Sequence, residues 1–128
     1  MNKKIWFTFI TLTLLAGLAS CTGGDEPANA VELYHQALVD KEQELLVNRS
    51  CADWESQALQ DLDSFVSVET ELVDVTCQTV SEDGDTAKVT CEGAISATYE
   101  GEATEFPLSG RTYLVLREGG EWRMCGYE

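Results

Sequence analysis

The feature that most constrains this fold is a pair of alternating stretches on either side of Asp83-Gly84. Val73, Val75, Cys77 and Thr79 recur at every second position, as do Val89, Cys91, Gly93 and Ile95, so each set shares one face of an extended strand. Asp-Gly is the dipeptide that a two-residue hairpin turn prefers, because it tolerates positive φ. Folding the ribbon about Gly84 sets Cys77 opposite Cys91, Val75 opposite Gly93 and Val73 opposite Ile95. The middle of the chain is therefore expected to be antiparallel sheet with an apolar face that something else must cover.

The covering elements are expected upstream. Asn29, with Glu32 three residues on, is a variant of the capping box, and Val31, Tyr34, Leu38 and Leu45 follow at helical spacing. That predicts an amphipathic helix from Asn29 to about Val47. Ser50 with Asp53 repeats the start signal, and Cys51, Trp54, Ala58 and Leu62 continue a second helix to about Leu62. Asn48-Arg49-Ser50 also fits the N-glycosylation pattern and is read as chance.

Downstream, Glu100-Gly101-Glu102 looks like a turn into a strand from about Thr104 to Arg117, with Pro107 marking an edge or bulge. Glu118-Gly119-Gly120-Glu121 turns into a last strand through Trp122 and Cys125. Two helices followed by four antiparallel strands give an α+β domain, with the helices on one face of the sheet.

Ahead of this domain, Met1-Asn2-Lys3-Lys4 opens an apolar run from Ile5 to Leu18 that ends in small residues. This is the layout of a secretory signal, and as a helix at ~1.5 Å per residue it spans about 21 Å, too short to cross a bilayer. Leu18-Ala19-Ser20-Cys21 resembles the lipobox of bacterial lipoproteins. The resemblance implies cleavage before Cys21, a diacylglyceryl thioether on its sulfur, and an extracytoplasmic domain held to the membrane by lipid in a bacterial cell envelope. Residues 1–20 are then the signal, 21–28 an acylated flexible tether through Thr22-Gly23-Gly24-Asp25-Glu26-Pro27, and 29–128 the domain.

Export also sets the reading of the cysteines. Of five, Cys21 goes to lipid, leaving Cys51, Cys77, Cys91 and Cys125, an even number in an oxidising compartment. Four cysteines allow three pairings. Hairpin register selects Cys77 with Cys91, which leaves Cys51 with Cys125. No two cysteines have the close spacing of a zinc site, so no metal is expected, and no cofactor fingerprint is present.

Losing Lys3 and Lys4 with the signal takes the formal charge from −15 to −17. Such a surface repels phosphate backbones, so nucleic acid is not an expected partner. Capture of a basic peptide or cation is one reading of the acidity, and plain solubility the other.

A long first helix, a second helix with Trp54, the hairpin Gly84-Asp85-Thr86-Ala87-Lys88-Val89 and the closing Gly119-Gly120-Glu121-Trp122-Arg123-Met124 together resemble the nuclear transport factor 2-like, or cystatin-like, superfamily. Closest in character are its small bacterial lipoproteins. The resemblance implies a curved sheet wrapped around the helices as a cone, often with a pocket at the open end.

His35, the single histidine, lies on or beside the apolar stripe of the first helix. It is a candidate general base, or simply a histidine at the core boundary. On the first strand Glu69 and Glu71 alternate with Val73, and Asp74 follows, so carboxylates reaching the interior would make Glu71 a partner for His35. The alternative puts them beyond the covered part of the sheet. Trp54, Trp122, Tyr99, Phe106 and Tyr113 are either ligand-stacking or core aromatics. The leading expectation is a noncatalytic binding domain for a small ligand or protein partner. The alternatives are a small pocket enzyme of isomerase, dehydratase or hydrolase type, and an inhibitor or immunity-like protein-binding module.

Overall fold

The central hairpin carries the sheet. In the computed structural model, which describes residues 26–128, β1 (Glu69–Asp83) and β2 (Thr86–Tyr99) pair antiparallel along their whole length. The signal, Cys21 and the tether up to Asp25 lie outside the described residues. Cys77 faces Cys91 and is bonded to it, with their Cα atoms 4.1 Å apart.

Past that bridge the register differs from simple alternation. Val73 pairs with Ala94 and Thr76 with Glu92, so Asp74 and Val75 together oppose Gly93. This is a β-bulge, in which one extra residue on one strand transposes everything beyond it. Asp74 takes φ +51 to make it, and Gly93 opposite takes φ +91. Ile95 consequently faces Leu72, not Val73, and Leu72 packs against the core. Glu69 and Glu71 pair with Thr98 and Ser96 and are exposed, so of the two sequence readings the one that placed them outside the covered part of the sheet holds, and Glu71 does not reach the interior.

The sheet has five strands, not four. Where one strand was expected from Thr104 to Arg117, β3 (Glu102–Pro107) and β4 (Thr112–Glu118) form instead. Pro107 has no N–H to continue a ladder, and Gly110 at φ +80 turns the chain just after it. Both strands use the same edge of β2, β4 along Thr86–Thr90 and β3 along Ala94–Tyr99, with Gly93 between. The order is β1-β2-β4-β5, with β5 at Glu121–Tyr127. The outer edge of β5 is bridged in parallel by Ser50: the Cys51 N–H donates to the Met124 carbonyl and the Met124 N–H to that of Arg49, both at 2.8 Å. The Cys51–Cys125 disulfide fastens the same junction.

The helical layer also departs from two helices. Helix α1 runs Pro27–Val39, starting on Pro27, whose fixed φ suits a first helical position. Asn29 thus lies inside the first turn, and Glu32, the expected cap partner, accepts the Cys77 N–H at 2.8 Å and ties α1 to β1. The helix stops at Asp40 because Lys41 adopts φ +58, with Lys41 N–H bonding Leu38 and Glu42 N–H bonding Ala37. That is a Schellman C-terminus built without glycine. Short α2 (Gln43–Asn48) follows, then a single 3₁₀ turn at Ala52–Trp54 and α3 (Glu55–Phe65). The helices cover one face of the sheet, and Val31, Tyr34, Leu38, Leu46 and Ala58 close over Val89, Ile95, Val115 and Met124.

Candidate functional site

Between α1, α3 and the far end of the sheet lies a cavity of about 210 Å³. Its floor is buried: Tyr34, His35 and Leu38 from α1, Ile95 from β2, Leu108, Tyr113 from β4 and Met124 from β5. Its mouth is more open, with Asp61, Ser64 and Phe65 of α3 facing Phe106, Arg111 and Tyr127. The split between β3 and β4 makes this possible, because the turn between them carries Leu108 inward and Arg111 to the rim.

The polar groups here are largely engaged with one another. Trp54 Nε1 donates to the Tyr34 hydroxyl at 3.1 Å, and that hydroxyl donates to Asp61 Oδ2 at 3.4 Å. Gln57 Nε2 donates to Asp61 Oδ1 at 3.0 Å, so both carboxylate oxygens have a partner. Burial, reinforced by the nearby Asp61 charge, pushes the Tyr34 phenol well above its ordinary range. It is a neutral hydroxyl with its proton already committed.

His35 is 4% exposed and contacts Tyr34 and Tyr113 edge-on, with ring centroids 5.5 and 5.2 Å away. Its Nδ1 lies 2.9 Å from the Val31 carbonyl, an acceptor, so Nδ1 carries the proton and Nε2 the lone pair. Burial lowers its pKa to about 4; the Val31 bond opposes the shift and the Arg111 charge adds to it. Tyr113 donates to the Leu108 carbonyl at 3.5 Å, and burial raises it while Arg111 pulls it back. Arg111 itself lies over the Tyr127 ring, 4.5 Å from its centroid.

Of the titratable pair considered from the sequence, His35 and Glu71, only His35 enters this cavity. Glu71 lines a separate, polar depression with Lys41, Glu69 and Ser96, so the two are not brought together. Phe106 and Tyr113 line the cavity, Trp54 supports it through Tyr34, Trp122 is buried in the core and Tyr99 is exposed at the hairpin end. Asp61, Arg111 and Tyr127 went unremarked in the sequence. The one local cue was Gln57 four residues before Asp61, a helical pair. A larger depression of about 580 Å³ on the other side of the sheet is lined by Leu114 and Leu116 together with the polar Ser81, Asp83, Thr86 and Lys88. Among the described residues no three His, Cys, Asp or Glu side chains group as metal ligands would, and no helix is long and apolar enough to cross a membrane.

This arrangement of helices on a bent antiparallel sheet with a cavity at one end is that of a nuclear transport factor 2-like fold, and solved structures agree. A putative ketosteroid isomerase from Shewanella frigidimarina superposes with TM-score 0.54 at 15% identity, over 82% of this chain and 95% of that one. A SEC-C motif protein from Rhodopseudomonas palustris gives 0.53 at 12% identity, over 81% and 80%. A multiply substituted NTF2-type protein gives 0.52 at 9%, over 77% and 92%. No protein-family model matches the chain, and no curated protein matches it by sequence. At such identities the likeness establishes the fold and nothing finer.

Proposed function

We propose that the protein is a lipid-anchored, extracytoplasmic binding domain whose cavity holds a small ligand without transforming it. The observation that carries the second half is the closed polar network. Trp54, Tyr34, Asp61 and Gln57 satisfy one another, and the His35 and Tyr113 protons go to backbone carbonyls. A pocket enzyme needs a base with an orienting partner and a donor aimed at developing charge. Here the ring N–H donors of His35 and Trp54 and the phenols of Tyr34 and Tyr113 are already spent on the protein, and the Arg111 guanidinium at the mouth is the cationic donor left to a ligand. The first half rests on the lipobox-like Leu18-Ala19-Ser20-Cys21 and on two disulfides, which suit an oxidising compartment. Two acyl chains on Cys21 would anchor the domain stably.

Membrane fractionation with mass spectrometry of the native protein tests the anchor. Diacylglyceryl on Cys21, with release to the soluble fraction on Cys21→Ser, is expected; an uncleaved, unmodified chain refutes it. Saturable ligand binding without turnover tests the cavity.

A second reading is favoured by one observation: His35 and Asp61 line the same cavity, and the fold is shared with the Shewanella protein named a putative ketosteroid isomerase. On that reading His35 Nε2 is the base, in an isomerase-type reaction. Turnover abolished by His35→Ala would establish it over the binding reading.

A further inference from the structure

We infer that the ligand of this cavity is a single aromatic ring bearing one carboxylate, with the ring between the aromatic walls and the carboxylate on Arg111. The inference rests on the binding reading above and specifies its chemistry.

Size comes first. An apolar cavity of about 150 Å³ accommodates benzene, so about 210 Å³ takes one six-membered ring and leaves room for roughly two waters, or a group of that volume. A fused or second ring would have to extend out through the mouth. The walls suit a ring because Phe65, Phe106, Tyr113 and Tyr127 all line the cavity, the first two meeting each other at 5.7 Å and the last two at 6.0 Å, and an aromatic ligand can make contacts of the same kind with them.

Charge comes second. Arg111 is the cavity's one cationic side chain, and it enters neither of the ion pairs found among the described residues, Lys88–Glu128 and Arg123–Glu121. Lys41, Arg49 and Arg117 also lack an acid partner there, so what singles Arg111 out is its place at the cavity mouth. Its guanidinium lies over the Tyr127 ring and beside the Tyr113 hydroxyl, whose pKa it pulls down against burial, and its five N–H donors leave some for a planar, bidentate acceptor. The competing anchor, Asp61, accepts one hydrogen bond at each oxygen and keeps lone pairs for a ring amine, so benzylamine is the probe that competes with benzoate. The strongly negative domain also opposes a second negative charge on the ligand, which favours a carboxylate over a phosphate.

The test follows the ring resonances of His35 by NMR in the purified protein. Because this is the chain's single histidine, the signal is unambiguous. Benzoate, benzylamine, benzyl alcohol and acetate are titrated separately. Benzoate is expected to shift His35 saturably and to bind at least roughly tenfold more tightly than the other three, the least that a charge-assisted pair supplies. In Arg111→Gln that preference should vanish while benzyl alcohol binds as before. Benzylamine or benzyl alcohol binding as tightly as benzoate, or benzoate unaffected by Arg111→Gln, overturns the carboxylate assignment and leaves the binding cavity standing. Acetate matching benzoate overturns the ring. If no probe moves His35, the inference and the binding reading fall together.

Discussion

Acidification should destabilise this domain through His35 in a way that can be calculated. An unfolded chain protonates the imidazole around pH 6.5, whereas the folded domain withholds the proton until about pH 4, chiefly because the ring is buried. Between those values the unfolded state binds more protons, so stability falls as pH falls; above pH 6.5 His35 contributes no pH dependence. The gap is worth about 3 kcal/mol once the folded ring is also protonated, at 1.36 kcal/mol per unit. For a domain with an ordinary 5 to 15 kcal/mol of stability, that is a large fraction. Carboxylates titrate in the same range, so the measurement is a difference: urea denaturation of wild type and His35→Gln from pH 7.5 to 4.5. The difference in unfolding free energy should be flat down to about pH 6.5 and then shrink by about 1.4 kcal/mol per unit. NMR of the ring should show no titration in the folded domain down to pH 5. Arg111→Gln should raise the ring's pKa, since that guanidinium opposes a second positive charge beside Tyr34, Tyr113 and Asp61. A ring titrating near pH 6.5 in the folded protein, or a flat difference curve, would show that His35 is solvated and refute the reasoning.

Other consequences can be measured directly. Gly93→Ala places a Cβ 2.5 Å from the Asp74 carbonyl oxygen at φ +91, and should cost roughly 3 kcal/mol or more by thermal denaturation. Replacing both cysteines of the Cys51–Cys125 bridge should cost more than replacing those of Cys77–Cys91. Loops of 74 and 14 residues give about 4.4 and about 3 kcal/mol by chain entropy, a ranking that paired urea curves can check. Tyr34→Phe leaves Trp54 Nε1 and Asp61 Oδ2 without their partner and should destabilise by about 1 to 3 kcal/mol, visible as a lowered urea midpoint.

The parts legible in the sequence are those governed by local chemistry. Asp83-Gly84 and period-two alternation located the hairpin, and from it followed Cys77 beside Cys91. What could not be read depended on residues acting against type. Lys41 and Asp74 take positive φ, a conformation usually left to glycine, and between them they end α1 early and transpose the start of β1. A one-residue shift moves every side chain to the other face, which is why Glu71 lies outside and Leu72 inside. The cavity was legible only through His35, Phe106 and Tyr113. Asp61 and Arg111 come from α3 and the turn between β3 and β4, 50 residues apart in the chain, and no local pattern announces that they line one cavity.

The two rims of the sheet are guarded by unlike means. Beyond β5, the Arg49–Cys51 segment takes up hydrogen-bonding groups that a neighbouring copy would otherwise find bare. Along β1, the interruptions at Asp74 and Val80 spoil the regular spacing an incoming strand must match, and Glu69 and Glu71 add charge that repels one. Copies crowded together are thereby denied edge-to-edge stacking at these two rims, which leaves the outer edge of β3 as the open one.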